Sequence, residues 1–151
     1  MRKAAVGAKA SAAGAPQTGG GATLAGQIIA APKLVEPKVA GGRVSEWLAG
    51  LQAAEAKPLK ARLAAHPIVN TLLESLAESS PYLWELASRE PKRLLRLLDC
   101  DPDRHLTTLL ADTGRAVAST ADEAEAMRLL RRMKSEAGLL IALADIGGAW
   151  P

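Results

Sequence analysis

The chain has 151 residues, 48% hydrophobic but only 3% aromatic, with a formal net charge of +3, enough for one modest domain. Its single cysteine, Cys100, excludes an internal disulfide and fits a reducing compartment. The longest nearly apolar stretch, Ala137 to Ala144, falls far short of the roughly 18 residues of a membrane span, so a cytoplasmic protein with no membrane partner is expected.

The charge is uneven. Residues 1–43 carry six Lys/Arg against Glu36 alone, whereas residues 44–151 carry thirteen against fifteen acids. Six cations spread over that arm, with no aromatic to stack on a base, make a poor nucleic-acid patch, and no nucleic-acid partner is expected. The arm is rich in Ala and Gly, and Pro16, Pro32 and Pro37 interrupt it. It cannot bury enough apolar surface to offset its chain entropy, so residues 1–43 are expected to be disordered. Its glycines, Gly14 to Gly26, lack the G-K-[ST] ending of a phosphate-binding loop.

From Val44 onward the composition changes. Twenty-one of the remaining 108 residues are Leu, and the aromatics are Trp47, Tyr82, Trp84 and Trp150. Leu and Ala favour helix, strand formers are scarce, and no period-2 alternation occurs. The expected fold is all-α: a bundle of short helices plus one long C-terminal helix, preceded by the disordered arm.

In chain order, Ser45 is expected to cap a helix carrying Trp47, Leu48 and Leu51, with Pro58 near its end or at the start of the next. Pro67, Pro81 and Pro91 each precede Leu-rich stretches at helical spacing, and Asp101-Pro102 does the same before Leu106, Leu109 and Leu110. Proline at a first helical position loses no hydrogen bond, because that N–H has no partner there. The last helix is predicted from a capping box at Thr120 and Glu123. Its apolar stripe comprises Ala126, Met127, Leu130, Met133, Ala137, Leu140, Ile141 and Ala144, and Gly147-Gly148 supplies the stop.

Few residues suggest chemistry. The acidic run Asp99, Asp101 and Asp103 lacks the Gly and the bidentate Glu of a calcium loop; Asp101 reads as an N-cap and Asp103 as a first-turn acid. His105 near Cys100 suggests a nucleophile pair, but no third residue orients it, and a half-buried structural histidine is expected. His66 falls in a corner before Pro67, and Trp84 and Trp150 read as packing anchors. The best surface candidate is a basic face of Arg128, Arg131, Arg132 and Lys134 that contacts a partner, with Glu125–Arg128 and Arg132–Glu136 at pairing distance along the helix.

Three phrases carry a resemblance: Ala77 to Asp103, containing SSPYLW; Ala121 to Pro151, ending ALADIGGAWP; and, more weakly, SEWLAGL from Ser45. Together they resemble the beginning of the bifunctional glutamine-synthetase adenylyltransferase/adenylyl-removing enzymes, whose long-helix pattern is matched at Arg131, Lys134, Ile141, Ala142, Asp145 and Ile146. The resemblance covers roughly residues 45–151. It implies a parent enzyme that attaches AMP to glutamine synthetase and removes it by phosphorolysis, using ATP and Mg²⁺, with glutamine synthetase and a PII-type nitrogen-signalling protein as partners.

It also implies that residues 44–151 are an incomplete N-terminal lead-in of the adenylyl-removing nucleotidyltransferase domain, with residues 122–146 packing against the rest of that enzyme. The family's metal-binding motif begins Gly-Ser, and none of the thirteen glycines here is followed by Ser. No catalytic, cofactor-binding or metal-ligating residue is therefore assigned, and the chain alone is expected to be inactive. The alternative is a stand-alone helical protein-interaction module.

Overall fold

A computed structural model describes residues 22–151. Among them are eight helices and no strand: α1 (Leu24–Gln27), α2 (Pro37–Gly50), α3 (Ala53–Ala65), α4 (Pro67–Ser79), α5 (Pro81–Arg89), α6 (Pro91–Asp99), α7 (Pro102–Ser119) and α8 (Glu123–Ile146). Proline opens five of them, α2, α4, α5, α6 and α7. Ser80 caps α5 by accepting from the Leu83 N–H at 3.4 Å, and Asp101 caps α7 by accepting from the Arg104 N–H at 3.1 Å, as the sequence suggests.

The helices enclose one leucine-rich core. Leu59, Leu72, Leu73, Leu94, Leu97, Leu98, Leu139, Leu140 and Leu143 are fully buried. Trp47 and Trp84 meet edge to face with ring centroids 5.4 Å apart, and the Trp47 indole N–H donates to the Ser88 carbonyl at 3.0 Å. Trp84 and Trp150 pack against the core as anchors.

The helical body begins well before Val44. Residues 22–43, expected within the disordered arm, are ordered by contacts distant in sequence, whereas residues 1–21 lie outside the described residues. Leu24, Ala25 and Ile28 are buried. The Leu24 N–H donates to the Cys100 carbonyl at 2.7 Å, and the N–H groups of Ile29 and Ala30 donate to the Gly147 carbonyl at 2.9 and 3.1 Å. This strap thus ties the α6–α7 corner to the end of α8. A Cβ at Gly147 would overlap the Leu143 carbonyl oxygen and the Ile28 side chain, and Gly148 sits at φ +69°. Both positions therefore call for glycine.

Pro37 starts α2 where the sequence read it as an interruption, and Ser45 consequently lies inside that helix. The Glu78 carboxylate anchors the residues leading into α2, accepting from the Val35 N–H at 2.9 Å and the Glu36 N–H at 2.6 Å. These two N–H groups hold its carboxyl below the ordinary range. Pro58 lies inside α3, which begins at Ala53.

α7 and α8 form an antiparallel hairpin. α7 runs to Ser119, and only Pro102 of its residues is buried; burial on α8 starts at Ala137. The first half of α8 therefore lies outside the buried core, with α7 along it. The cap of α8 is Asp122, which accepts from the Ala124 N–H at 3.0 Å, while Thr120 Oγ1 accepts from the Asp122 N–H at 3.2 Å. The expected Thr120–Glu123 box is replaced because the shorter aspartate reaches the first turn directly.

Candidate functional site

α8 carries the residues of greatest interest, and its geometry splits the basic face read from the sequence. Successive residues turn about 100° around a helix, which puts Arg128, Arg131, Arg132 and Ser135 on one side. Lys134 falls instead in a second row with Met127, Leu130 and Ile141. That row faces solvent: Met127 and Ile141 are 44% exposed and Leu130 is 39% exposed. Gly138, between Lys134 and Ile141, has open space where a Cβ would stand. The apolar stripe expected for this helix is thus divided. Ala137, Leu140 and Ala144 join Leu139 and Leu143 in the core, while Met127, Leu130 and Ile141 point outward.

On the arginine side, Arg128 pairs with Glu125 at 2.5 Å, as its spacing suggests. The expected Arg132–Glu136 pair does not form. Glu136 is taken by two residues from other helices: Arg96 of α6 at 3.1 Å and His105 of α7 at 2.7 Å. Burial pushes the Glu136 carboxyl up, but the hydrogen bonds from His105 and Arg96 outweigh it and leave the group below the ordinary range. Arg131, Arg132 and Ser135 line a groove with Arg89, Glu90 and Arg93 of the α5–α6 corner. Sequence reasoning missed Arg93 because a buried arginine within a Leu-rich run carries no local signal.

The other candidates occupy structural positions. Cys100 is half-buried, its thiol donates to the Leu97 carbonyl at 3.1 Å, and burial pushes its pKa up to about 11. A thiol so held is a poor nucleophile, and His105 is engaged with Glu136 instead. His66 stands at the corner where α3 ends and α4 begins. Asp99 is bound by Arg62, with Nε to Oδ1 at 2.5 Å and Nη2 to Oδ2 at 3.1 Å, and Asp101 is occupied as a cap. Among the described residues no three His, Cys, Asp or Glu side chains converge on a metal-sized site. No helix among the described residues is long and apolar enough to cross a membrane.

The family described as glutamate-ammonia ligase adenylyltransferase matches residues 69–151. The chain is similar to the bifunctional glutamine synthetase adenylyltransferase/adenylyl-removing enzyme of Bradyrhizobium diazoefficiens, 48% identical over 131 residues, which is 87% of this chain and 13% of the relative. The enzyme of the same description from Rhodopseudomonas palustris strain HaA2 is 48% identical over 130 residues, 86% of this chain and 13% of the relative. That of Xanthobacter autotrophicus is 47% identical over 120 residues, 80% and 12% of the two chains. The chain thus spans about an eighth of the length of these relatives. No solved structure matches it.

Proposed function

The chain belongs to the glutamate-ammonia ligase adenylyltransferase family, and from that premise we propose that it forms the helical lead-in of the adenylyl-removing half of a bifunctional enzyme. The whole enzyme attaches AMP to glutamine synthetase and removes it, in the cytoplasm, under control of a PII-type nitrogen-signalling protein. Residues 44–151, together with the strap that the fold adds to them, are the incomplete first part of that half. ATP and Mg²⁺ are held by parts of the enzyme outside this chain, where paired carboxylates can clamp two metal ions around the reacting phosphorus. Asp99, Asp101 and Asp103 have no part in that step.

The single observation supporting this role is the outer row of α8. Met127, Leu130 and Ile141 are large apolar residues exposed along one side of a 24-residue helix, and Gly138 among them permits close approach of another backbone. A row of that kind marks a contact surface, and in relatives roughly eight times as long the remainder of the same enzyme is the natural occupant. Lys134 lies within this row. Arg128, Arg131 and Arg132, at its side, meet acidic groups of the partner.

The experiment is complementation. A family enzyme lacking this region is mixed with the chain and supplied with adenylylated glutamine synthetase, phosphate and Mg²⁺. The chain alone should release no ADP, the shortened enzyme little, and the mixture more. A triple charge substitution at Met127, Leu130 and Ile141 should abolish the gain. ADP release by the chain alone, or an undiminished gain with the charged variant, overturns the reading.

A further inference from the structure

The α7–α8 hairpin leaves the body of the molecule at a narrow base. Of α7 only Pro102 is buried, and on α8 the first buried residue is Ala137. The chief packing partner of α7 is α8 itself. Among the described residues, one ion pair joins the projecting part of the hairpin to the helices before it. In that pair Arg96 of α6 reaches Glu136 at 3.1 Å. His105 of α7 holds the other oxygen of the same carboxylate at 2.7 Å, so both helices of the hairpin hang on one side chain.

Just beyond Glu136, α8 contains Gly138. The space at its Cβ position is open, so no neighbour within the chain requires glycine there. Glycine is the weakest helix former after proline and frees the backbone most. It falls where α8 passes from solvent into the core, since Ala137, Leu139 and Leu140 beside it are buried. Helices kink at local breaks of this kind in their regularity. On the side of the α5–α6 corner, a groove lies between Arg89 and Arg93 on one wall and Arg131, Arg132 and Ser135 on the other. A close-packed contact would resist movement, whereas this gap leaves the hairpin room to swing.

We propose that α8 is hinged at Gly138, and that the Arg96–Glu136–His105 cluster is the latch that holds the hairpin at its observed angle. With the latch broken, α7 and the first part of α8 swing as a unit about Gly138 and the Asp101-Pro102 corner, their mutual packing intact. The leverage is large. Glu123 opens α8 fifteen residues before Gly138, about 22 Å along the helix, so a kink of about 20° carries the tip by roughly 8 Å. Met127 and Leu130 ride on the moving part, whereas Ile141 stays with the core. The hinge therefore decides whether the outer row of α8 is straight. Its bearing on docking rests on the role proposed for that row; the movement does not.

The test places two spin labels on the chain itself, in a Cys100→Ser background. One is carried by Ala121→Cys at the exposed tip of the hairpin, the other by Lys57→Cys or Glu46→Cys, both exposed on the body. Two body sites register a swing in either direction. The intact latch should give one narrow distribution of label distances. Arg96→Ala, which removes a half-exposed partner, and Glu136→Ala should each broaden or displace it by several Å, on the scale of the roughly 8 Å tip movement. Adding Gly138→Ala to either should reverse most of that change. Arg115→Ala, which breaks the exposed pair with Asp112 inside α7, should leave the distribution as it is, and helical circular dichroism should be alike in all. A distribution unaltered by Arg96→Ala, altered equally by Arg115→Ala, or not narrowed again by Gly138→Ala overturns the proposal. So does a loss of helicity that accompanies the broadening, because it marks unfolding of the hairpin instead of bending.

Discussion

The imidazole Nε2 of His105 lies 2.7 Å from a carboxylate oxygen of Glu136, joining α7 to α8 at the base of their hairpin. Arg96 of α6 reaches the other oxygen of the same carboxylate at 3.1 Å. One side chain thus fixes three helices where the hairpin leaves the core. Two of its partners are 31 and 40 residues away.

This contact makes stability depend on pH in a definite direction. The Glu136 carboxyl is lower in the native protein than the ordinary value of 4.5, because its hydrogen bonds outweigh its burial. Its contribution is therefore complete above that value and is lost as the pH falls through the native one. Glu136→Gln should flatten the acid limb of a melting-temperature profile and cost about 1–2 kcal/mol near neutrality. Glu78, lowered by the N–H groups of Val35 and Glu36, acts in the same direction, so the comparison is between variant and native profiles. An unchanged acid limb in Glu136→Gln would show that the three-helix junction adds nothing.

Two glycines of the α8 region should respond oppositely to alanine. At Gly147 a Cβ would meet the Leu143 carbonyl and Ile28, so Gly147→Ala should destabilise by about 1–3 kcal/mol, the usual range for overpacking. At Gly138 the space is open, and alanine should stabilise by up to about 1 kcal/mol through helix propensity. Denaturant melts of the two variants test both signs. The same Gly138→Ala change should weaken complementation of a shortened family enzyme, because it narrows the docking row.

The strap should be as much a part of the core as the later helices. Leu24 is fully buried, and Leu24→Ala should cost about 2–4 kcal/mol. A loss below 0.5 kcal/mol, the usual range for changes at exposed sites, would place residue 24 outside the cooperative unit.

Cys100 should be slow to react. With a pKa near 11 and its thiol engaged with Leu97, only a small fraction is thiolate at pH 8. Modification by a disulfide reagent should be slow in the native protein and rapid after denaturation. Equal rates would contradict the buried placement.

Without a partner, the outer row of α8 should promote association. Met127, Leu130 and Ile141, with Leu110 of α7 at 49% exposure, leave apolar surface uncovered. Sedimentation should detect oligomers that a charge at Leu130 disperses; a monomer at high concentration would count against the exposed row.

Much of the helical plan was legible because its signals are local. Each proline at a first helical position and the Asp101 cap depend only on neighbouring residues, so pattern reading finds them. The strap was not legible. Its Ala/Gly composition resembles filler, and what orders it are carbonyls at Cys100 and Gly147, supplied by far later residues. Pro37 was misread for the same reason, since the approach to it is anchored by Glu78, more than forty residues later. At the basic face, spacing suggested Arg132 for Glu136, but Arg96 and His105 took that carboxylate through tertiary packing. The separation of Lys134 from the arginines follows from helical angle alone and was available in the sequence. The contribution of Arg93 was not, because it rests on the α5–α6 corner approaching α8.

The backbone bonds from Ile29 and Ala30 to Gly147 join the first described turn to almost the last. A ribosome makes the donor long before the acceptor, at about 5–20 residues per second. Leu24 and Ile28 must therefore wait, unburied, for several seconds during synthesis. Contacts of such wide sequence separation also form late because loop closure precedes their reward. A nascent chain halted before Gly147 would therefore lack the acceptor for Ile29 and Ala30, although the Cys100 carbonyl that holds Leu24 would already be made.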